Sequence, residues 1–554
     1  MPNFTKILGV PGAGKTTCLI NELEKLINEG KGDMESMCFV TFSKSTGREI
    51  KARIAEKYGV KPKELPYYGT IHSVCNRLLG WITRDPGGIQ IASNEDKDDY
   101  LSQYGLTYPV VNNSSNELPE TAILNEDFIE TTDEEKIFSV INWCNNRLVP
   151  VENWKDIGVI FDYIEPSMIS EICKGWSEYK HEKSVIDFDD MLLEVIKEDL
   201  SPYTKNLFVD EFQDMTPLLH RVISSWSKDK ENVFVAGDPN QAIFTWSGAS
   251  PHFLLDLPAD ERVLCESYRV PSEILKKAET LISTTRENIY PYFHSVKHGG
   301  HFIHLHNPFL SDILEYLPND PRKNVFFLFR TNYLANNFCT THLIPSGIPY
   351  APVKPTRRIH DVWRCYRKGG QKLLEIRNAM SKMQRNDMLK RSEALRLLLM
   401  LPSCSKKRLN GYVRYGKKTF FKKSSRTEWT VKELLDELLV KLPDWNDHWI
   451  LSNLNYLEKE AYVANMQSNY CSLSPRQIKV GTLHSSKGLE ADTVFVFNTH
   501  TKRVDDHLLE EGHAASDDET RLYYVGITRA RETCVLVDDF AEFENKYTFD
   551  LEVE

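Results

Sequence analysis

Residues 7–17 read ILGVPGAGKTT, and most of the fold follows from how that stretch has to be built. The apolar run before Gly9 is a buried strand, and the pattern TTCLINELEKLI from Thr16 onward is that of an amphipathic helix. Between them stands Gly9, four residues, then Gly14-Lys15-Thr16. That spacing in a strand–turn–helix setting is a phosphate-binding loop. Gly9, Gly12, Ala13 and Gly14 let backbone N–H groups face phosphate oxygens, and Thr16 and Thr17 open the helix whose positive end points at them. In this setting Lys15 reaches the β- and γ-phosphates and the Thr16 hydroxyl ligates Mg²⁺. ATP and Mg²⁺ are the cofactors expected.

The run LFVDEFQD at 207–214 answers to the same loop. Three apolar residues form a strand, and two acids arrive together at its end. Adjacent carboxylates repel, so a cation between them is the economical reading. In a fold of this kind an acid at the end of a neighbouring strand holds magnesium through water. Asp210 is assigned that task, and Glu211 is placed to orient or deprotonate the attacking water.

Composition sets the outer limits. A chain of 554 residues with 41% hydrophobic and 27% charged residues is an ordinary globular protein of several domains. The 11 cysteines are scattered with no CxxC, against zinc ribbons and disulfide frameworks and in favour of a reducing compartment. No basic-then-apolar leader opens the sequence and no apolar run reaches membrane-spanning length, so the expectation is a cytoplasmic protein with no membrane partner.

Further motifs occur in order: VTFSKSTGREIKARI (40–54), YGTIHSVCNRLL (68–79), IDFDDMLLEV (186–195), GDPNQAIFTWSGA (237–249), ESYRVPSEIL (266–275), VGTLHSSKGLEADTVFVFN (480–498) and RLYYVGITRAR (521–531). In wording and order they resemble the UvrD/Rep/PcrA family of superfamily 1A DNA helicases, from residue 6 to about 537. The 1B branch usually continues its GDxxQ motif with Leu-Pro-Pro, where this chain has AIFTW.

The resemblance implies a role for each matching residue. Gln241 is similar to the γ-phosphate sensor coupled to the DNA-binding loop, and Tyr268 to the residue that stacks on adenine. Arg269 and Arg529 resemble arginines that contact the γ-phosphate from a second domain, and Glu490 the residue that touches ribose. Phe42, Phe244 and Trp246 occupy positions of base-stacking aromatics, while Thr70, His72, His484 and Lys487 match polar positions on the strand.

Short apolar strands (KILG, MCFVTF, LFV, NVFVAG; then NVFFLF, IKVGT, TVFVF, TCVLV) alternate with helical segments. The fold class expected is α/β: two RecA-like P-loop lobes, parallel sheets with covering helices, each interrupted by a mostly helical insertion. The boundaries read as 1–83 with 189–255 for the first lobe, 84–188 for its insertion, 256–355 with 475–554 for the second lobe, and 356–474 for its insertion. Helical spacing marks KLLEIRNAM and VKELLDELLVKL in the second insertion. From Arg357 to Arg426 there are 21 Lys and Arg against four acids, so the overall charge of −11 conceals a basic segment suited to duplex phosphates. The first insertion is acid-rich (NEDKDD, TTDEEK).

The chain also departs from the family pattern. Only eight residues precede Gly9 and none is the usual adenine-reading Gln, so relaxed base selectivity is expected. Ser247 stands where Arg is usual, Phe244 where Tyr is usual, and Lys44-Ser45 replace Asn-Lys. From the short tail after the last motif, no appended nuclease domain is expected. The resemblance implies an ATP-dependent helicase or translocase moving 3′-to-5′ on single-stranded DNA, with single strands and single-strand/duplex junctions as partners. Loading proteins and a bacterial or phage-infected cell are compatible with it. The alternatives are a translocase that strips proteins with little unwinding, a nucleotide-gated DNA-binding module that recruits partners, and, more weakly, action on RNA.

Overall fold

The computed structural model describes residues 2–80, 90–107, 132–157, 163–286, 293–320, 322–354, 456–468 and 477–543, with shorter stretches besides. The basic segment, with both helical patterns of the second insertion, lies almost wholly outside the described residues, as do the expected boundaries at 83/84, 355/356 and 474/475. The chain forms two compact units: Met1–Asn307 with Ser486–Glu490 and Asn498–Glu554, and Pro308–Ser485 with Ala491–Phe497.

The first unit is built on a six-stranded parallel sheet. Its strands are β1 (Asn3–Gly9), β2 (Met37–Thr41), β3 (Tyr68–Thr70), β4 (Asn206–Val209), β5 (Asn232–Gly237) and β6 (Asp260–Leu264), in the order β3-β2-β4-β5-β1-β6. The interior strands are buried along nearly their whole length, which is why MCFVT and NLFV read as continuous apolar runs rather than alternating ones. Register sets one aromatic row across three strands: Phe39 pairs with Phe208 and Phe208 with Phe234. Their rings stack at 5.7 and 5.0 Å. Offset stacking of this kind adds about 0.5–1.5 kcal/mol per pair beyond the area buried.

Helix α1 (Lys15–Asn28) follows β1 and buries Leu19, Ile20, Leu23 and Leu26, an i, i+1, i+4, i+7 stripe facing the sheet. Helices α2 (Lys44–Tyr58) and α3 (Ile71–Leu79) start on Ser43 and Thr70 caps. The first insertion has its own core: α4 (Asp133–Arg147) and α5 (Pro166–Lys183) pack Ile137, Val140, Trp143, Ile169, Ile172 and Trp176 together. Helix α6 (Phe188–Lys197) returns the chain to β4.

A second set of parallel strands is divided between the units. In the first unit, β7 (His301–His306) pairs with β12 (Ala530–Asp538). In the second, β8 (Val325–Phe329), β9 (Ala351–Pro352), β10 (Ile478–Thr482) and all but the last residue of β11 (Ala491–Asn498) run in the order β9-β10-β8-β11. Phe327 and Phe329 stack on Phe495 and Phe497 at 4.6 and 4.3 Å, the same device as in the first sheet. Helix α7 (His513–Ile527) precedes β12. The α/β class with two sets of parallel strands is as expected from the sequence. Among the described residues, no helix is long and apolar enough to cross a membrane.

Candidate active site and nucleic-acid interface

The loop after β1 is held open by backbone conformations that favour glycine. Gly12 (φ 76°) and Gly14 (φ 79°) lie in the left-handed region, and a Cβ on Gly12 would stand 2.5 Å from Cβ of Arg269. Helix α1 has no acid in its first turn and, among the described residues, no side-chain cap, so its leading N–H groups are left for an anion. The Lys15 ammonium folds back onto the Gly9 carbonyl at 2.7 Å, and burial lowers its pKa despite Asp238, Glu211 and Asp210 nearby.

Asp210 directly follows β4, its N–H bonded to the Val40 carbonyl at 2.9 Å. The Thr16 hydroxyl donates to Asp210 Oδ2 at 2.6 Å. Burial, then the charge of Glu211, pushes the Asp210 carboxyl up to about 7. A hydroxyl and a buried carboxylate side by side, beneath a phosphate-binding loop, are an oxygen donor pair that fits a hard divalent cation. Burial acts in the same direction on Glu211, but Lys487, Lys15 and a hydrogen bond from Gln213 outweigh it and hold that carboxyl below its usual range. The two neighbouring acids are thus driven apart, one toward the neutral form and one firmly ionised. Glu211 sits at φ 57°, ψ 41°, a left-handed conformation that costs a non-glycine residue of the order of 1–2 kcal/mol.

A hydrogen-bonded chain leaves Glu211. Gln213, fully buried, donates to Glu211 Oε2 at 2.6 Å and accepts from the Asp238 N–H at 3.0 Å. Asp238 Oδ2 accepts from Gln241 Nε2 at 2.5 Å, and Gln241 Oε1 accepts from Arg529 Nη2 at 3.2 Å. Arg529, buried at the end of α7, is held by the Val525 carbonyl at 2.8 Å, and burial, then the Arg269 charge, pushes it down to about 9. Lys487 donates to the backbone carbonyl of Gln241 and, at 2.6 Å, to Asp214. Its ammonium lies 5.1 Å from the ring centre of Phe244.

Phe42, Phe244 and Trp246 form one aromatic array. Phe42 stacks on Phe244 at 5.7 Å, and Phe244 meets Trp246 edge to face at 6.2 Å. The Trp246 indole packs against the core of the first insertion, and its buried Nε1–H has no hydrogen-bond partner among the described residues. Arg147, the last residue of α4, stacks on Trp143 at 4.6 Å and donates to the carbonyls of Thr245 and Trp246 at 3.0 and 3.4 Å. The Thr245 hydroxyl donates to Asp518 of α7 at 2.7 Å.

The other expected residues are placed less centrally. Tyr268 is 62% exposed beside the phosphate loop, its N–H on the Gly12 carbonyl at 3.1 Å. Glu490 is flanked by Arg269 at 3.7 Å and by Arg531. Thr70 caps α3 by accepting from the Ser73 N–H at 3.2 Å. His72 meets Phe188 edge-on at 6.1 Å, and burial drops its pKa to about 4. His484 belongs to the second unit, where it is 4% exposed.

Gln213, Asp238 and Arg147 belong to the site without being among the residues expected from the sequence. The first two lie inside the quoted VDEFQD and GDPNQ runs, where a buried amide linking two acids would be the signal. Arg147 has none, because its partner Thr245 is 98 residues away and inside a different motif.

A phosphate loop with a paired-acid strand, wired to a row of stacked aromatics, defines a nucleotide-driven motor on nucleic acid. Residues 3–261 match the UvrD/REP helicase N-terminal domain and residues 350–537 the UvrD-like helicase C-terminal domain, and the chain belongs to that helicase family as a DNA-dependent ATPase and DNA helicase. It is similar to the ATP-dependent DNA helicase UvrD2 of Mycobacterium tuberculosis, 24% identical over 579 residues, covering 95% of this chain and 75% of the relative. It is also similar to the ATP-dependent DNA helicase PcrA of Staphylococcus aureus, 22% identical over 625 residues, covering 95% and 80%.

Proposed function

We propose that the protein moves 3′-to-5′ along single-stranded DNA and unwinds duplex ahead of it, driven by hydrolysis of Mg²⁺-bound ATP. The observation that carries this reading is the position of Gln241. Its side chain is joined to Asp238 and Arg529, and its backbone carbonyl to Lys487, which lies against Phe244. A change at the phosphate side therefore has a short covalent and hydrogen-bonded route to the aromatic array.

In this reading Gly9, Gly12, Ala13, Gly14, Lys15, Thr16 and Thr17 hold the triphosphate, and Thr16 and Asp210 hold the cation. When bound, Mg²⁺ neutralises charge on the β- and γ-phosphate oxygens. Glu211, kept ionised by Lys487, Lys15 and Gln213, takes the proton of the attacking water. Arg269 and Arg529 place positive charge where the γ-phosphate leaves, a device worth roughly 10³–10⁵ in rate in related chemistry. Tyr268 offers an exposed face for a base, and Glu490, flanked by Arg269, touches the ribose. Phe42, Phe244 and Trp246 stack on bases, with Thr70, His72, His484 and Lys487 along the strand. Polarity rests on the likeness of these motifs to the family, and junctions are the substrate that a 3′-tailed duplex presents.

The test is strand displacement from duplexes carrying a 3′ or a 5′ single-stranded tail, with ATP and Mg²⁺. The reading requires unwinding of the 3′-tailed duplex alone. Unwinding from the 5′ tail would reverse the polarity. Streptavidin displacement without unwinding would leave a protein-stripping translocase.

A further inference from the structure

Away from the phosphate loop, strand β7 reads HFIHLH, and two of its histidines meet one carboxylate of β12. His304 and His306 are two positions apart, so their side chains leave the same face of the strand. Residue 306 pairs in register with Asp538 across the parallel ladder. His304 Nε2 lies 2.6 Å and His306 Nδ1 3.5 Å from the same oxygen, Asp538 Oδ2. The three ligand atoms all fall within 4.8 Å of one another, and the two imidazoles are tilted at 43° with centres 4.0 Å apart.

The carboxylate is fixed from behind. Its other oxygen, Oδ1, accepts from Asn498 Nδ2 at 2.8 Å. Asn498 is in turn locked by the backbone of Phe549, giving Nδ2 to its carbonyl at 2.8 Å and accepting its N–H at 3.2 Å. A carboxylate held this way presents one oxygen to both imidazoles, the kind of outer support that ligating side chains carry. A single hydrogen bond to one histidine would not require the second ring to crowd the same oxygen. His304 and Asp538 are about one-fifth exposed and His306 is 66% exposed, so an ion has a path in and room for water.

We propose that His304, His306 and Asp538 form a binding site for a divalent transition-metal ion of the zinc class, with water completing a tetrahedral shell. Two imidazole nitrogens and one carboxylate oxygen suit Zn²⁺, Co²⁺ or Ni²⁺ and disfavour Mg²⁺, which prefers oxygen alone. The bound ion clips β7 to β12 and, through Asn498, to the segment around Phe549. The site lies outside the ATP-hydrolysing machinery and does not depend on the reading proposed for it.

The experiment is titration of the full-length protein with Co²⁺ in excess Mg²⁺, followed by visible absorption, and with Zn²⁺ by calorimetry. The expected result is one tightly bound ion with a tetrahedral cobalt spectrum. The His304→Gln/His306→Gln double variant should lose that spectrum and bind at least about tenfold more weakly while keeping its basal ATPase. Asn498→Ala tests the outer support and should weaken binding while retaining the spectrum. Binding and spectrum unchanged in the double variant, or no ion bound more tightly than by exposed histidines in general, would overturn the proposal. Should the double variant misfold, Asp538→Asn read by the same spectrum decides, since an unaltered signal there also overturns it.

Discussion

Gln241 accepts a hydrogen bond from Arg529 on its side chain while its backbone carbonyl accepts one from Lys487. One residue therefore touches a buried arginine at the end of α7 and the lysine that lies against Phe244. Truncating it should separate hydrolysis from strand engagement. Gln241→Ala is expected to reduce DNA stimulation of the ATPase by roughly 5–150-fold, the span of a coupling free energy of about 1–3 kcal/mol, while changing nucleotide affinity far less. Fluorescent-nucleotide binding beside ATPase rates with and without DNA checks both halves.

Gly12 combines a positive φ with a close approach to Arg269, so a side chain there meets two penalties at once. Gly12→Ala should lower ATP affinity by at least about tenfold, since the left-handed backbone alone costs about 1–2 kcal/mol, and Arg269 must shift as well. Lower affinity with an unchanged melting temperature would locate the damage in the loop.

Arg147 reaches from the first insertion to the successive carbonyls of Thr245 and Trp246. Arg147 thereby brings a guanidinium to the loop of Thr245 and Trp246 from another part of the chain. Arg147→Ala is expected to weaken single-stranded DNA binding by about 1–3 kcal/mol, the worth of hydrogen bonds from a charged group. Because it positions Trp246 rather than gripping phosphate, the salt dependence should keep its slope. A slope reduced by about one would mean direct phosphate contact instead.

Asp189 is buried on α6 among Asn142, Asn145 and Asn146, which donate to it at 3.1 to 3.5 Å. Burial, then the charge of Asp187, pushes its carboxyl up to about 8. The folded state therefore holds a proton that the unfolded chain, with a carboxyl near 4, releases, so stability falls as pH rises from about 4 to 8. Asp189→Asn removes that penalty. The melting-temperature difference, variant minus wild type, should be several degrees more positive at pH 8 than at pH 5, measured in one buffer series. No change in that difference would mean that Asp189 stays ionised in the folded protein.

The sheet strands most visible in the sequence were those buried on both faces, such as MCFVT and NLFV, because unbroken apolar runs leave little alternative. Strand β6 (DERVL) carries no such signal, being exposed at the sheet edge with polar side chains. Strand β7 lacks it too, since its histidines break the apolar run. Short β3 carries a glycine between Tyr68 and Thr70 and lacks the length to signal a strand. At the site, a local motif revealed which residue types were present and not what joined them. Gln213 between Glu211 and Asp238 was in plain view, yet its link became visible only once β4 and β5 lay side by side. Trp246 stands among the expected base-stacking aromatics, and a helix about 100 residues earlier contributes to the surface it packs on. Such pairings depend on tertiary placement, which neither periodicity nor spacing encodes.

The most direct test of the account is steady-state ATP hydrolysis with and without single-stranded DNA, for the wild type and for Glu211→Gln. The account predicts strong stimulation by DNA in the wild type. In the variant, nucleotide binding should persist while turnover falls by ~10²-fold or more, as expected when a positioned base is removed. Turnover indifferent to DNA, or a variant that hydrolyses ATP as fast as the wild type, would contradict it.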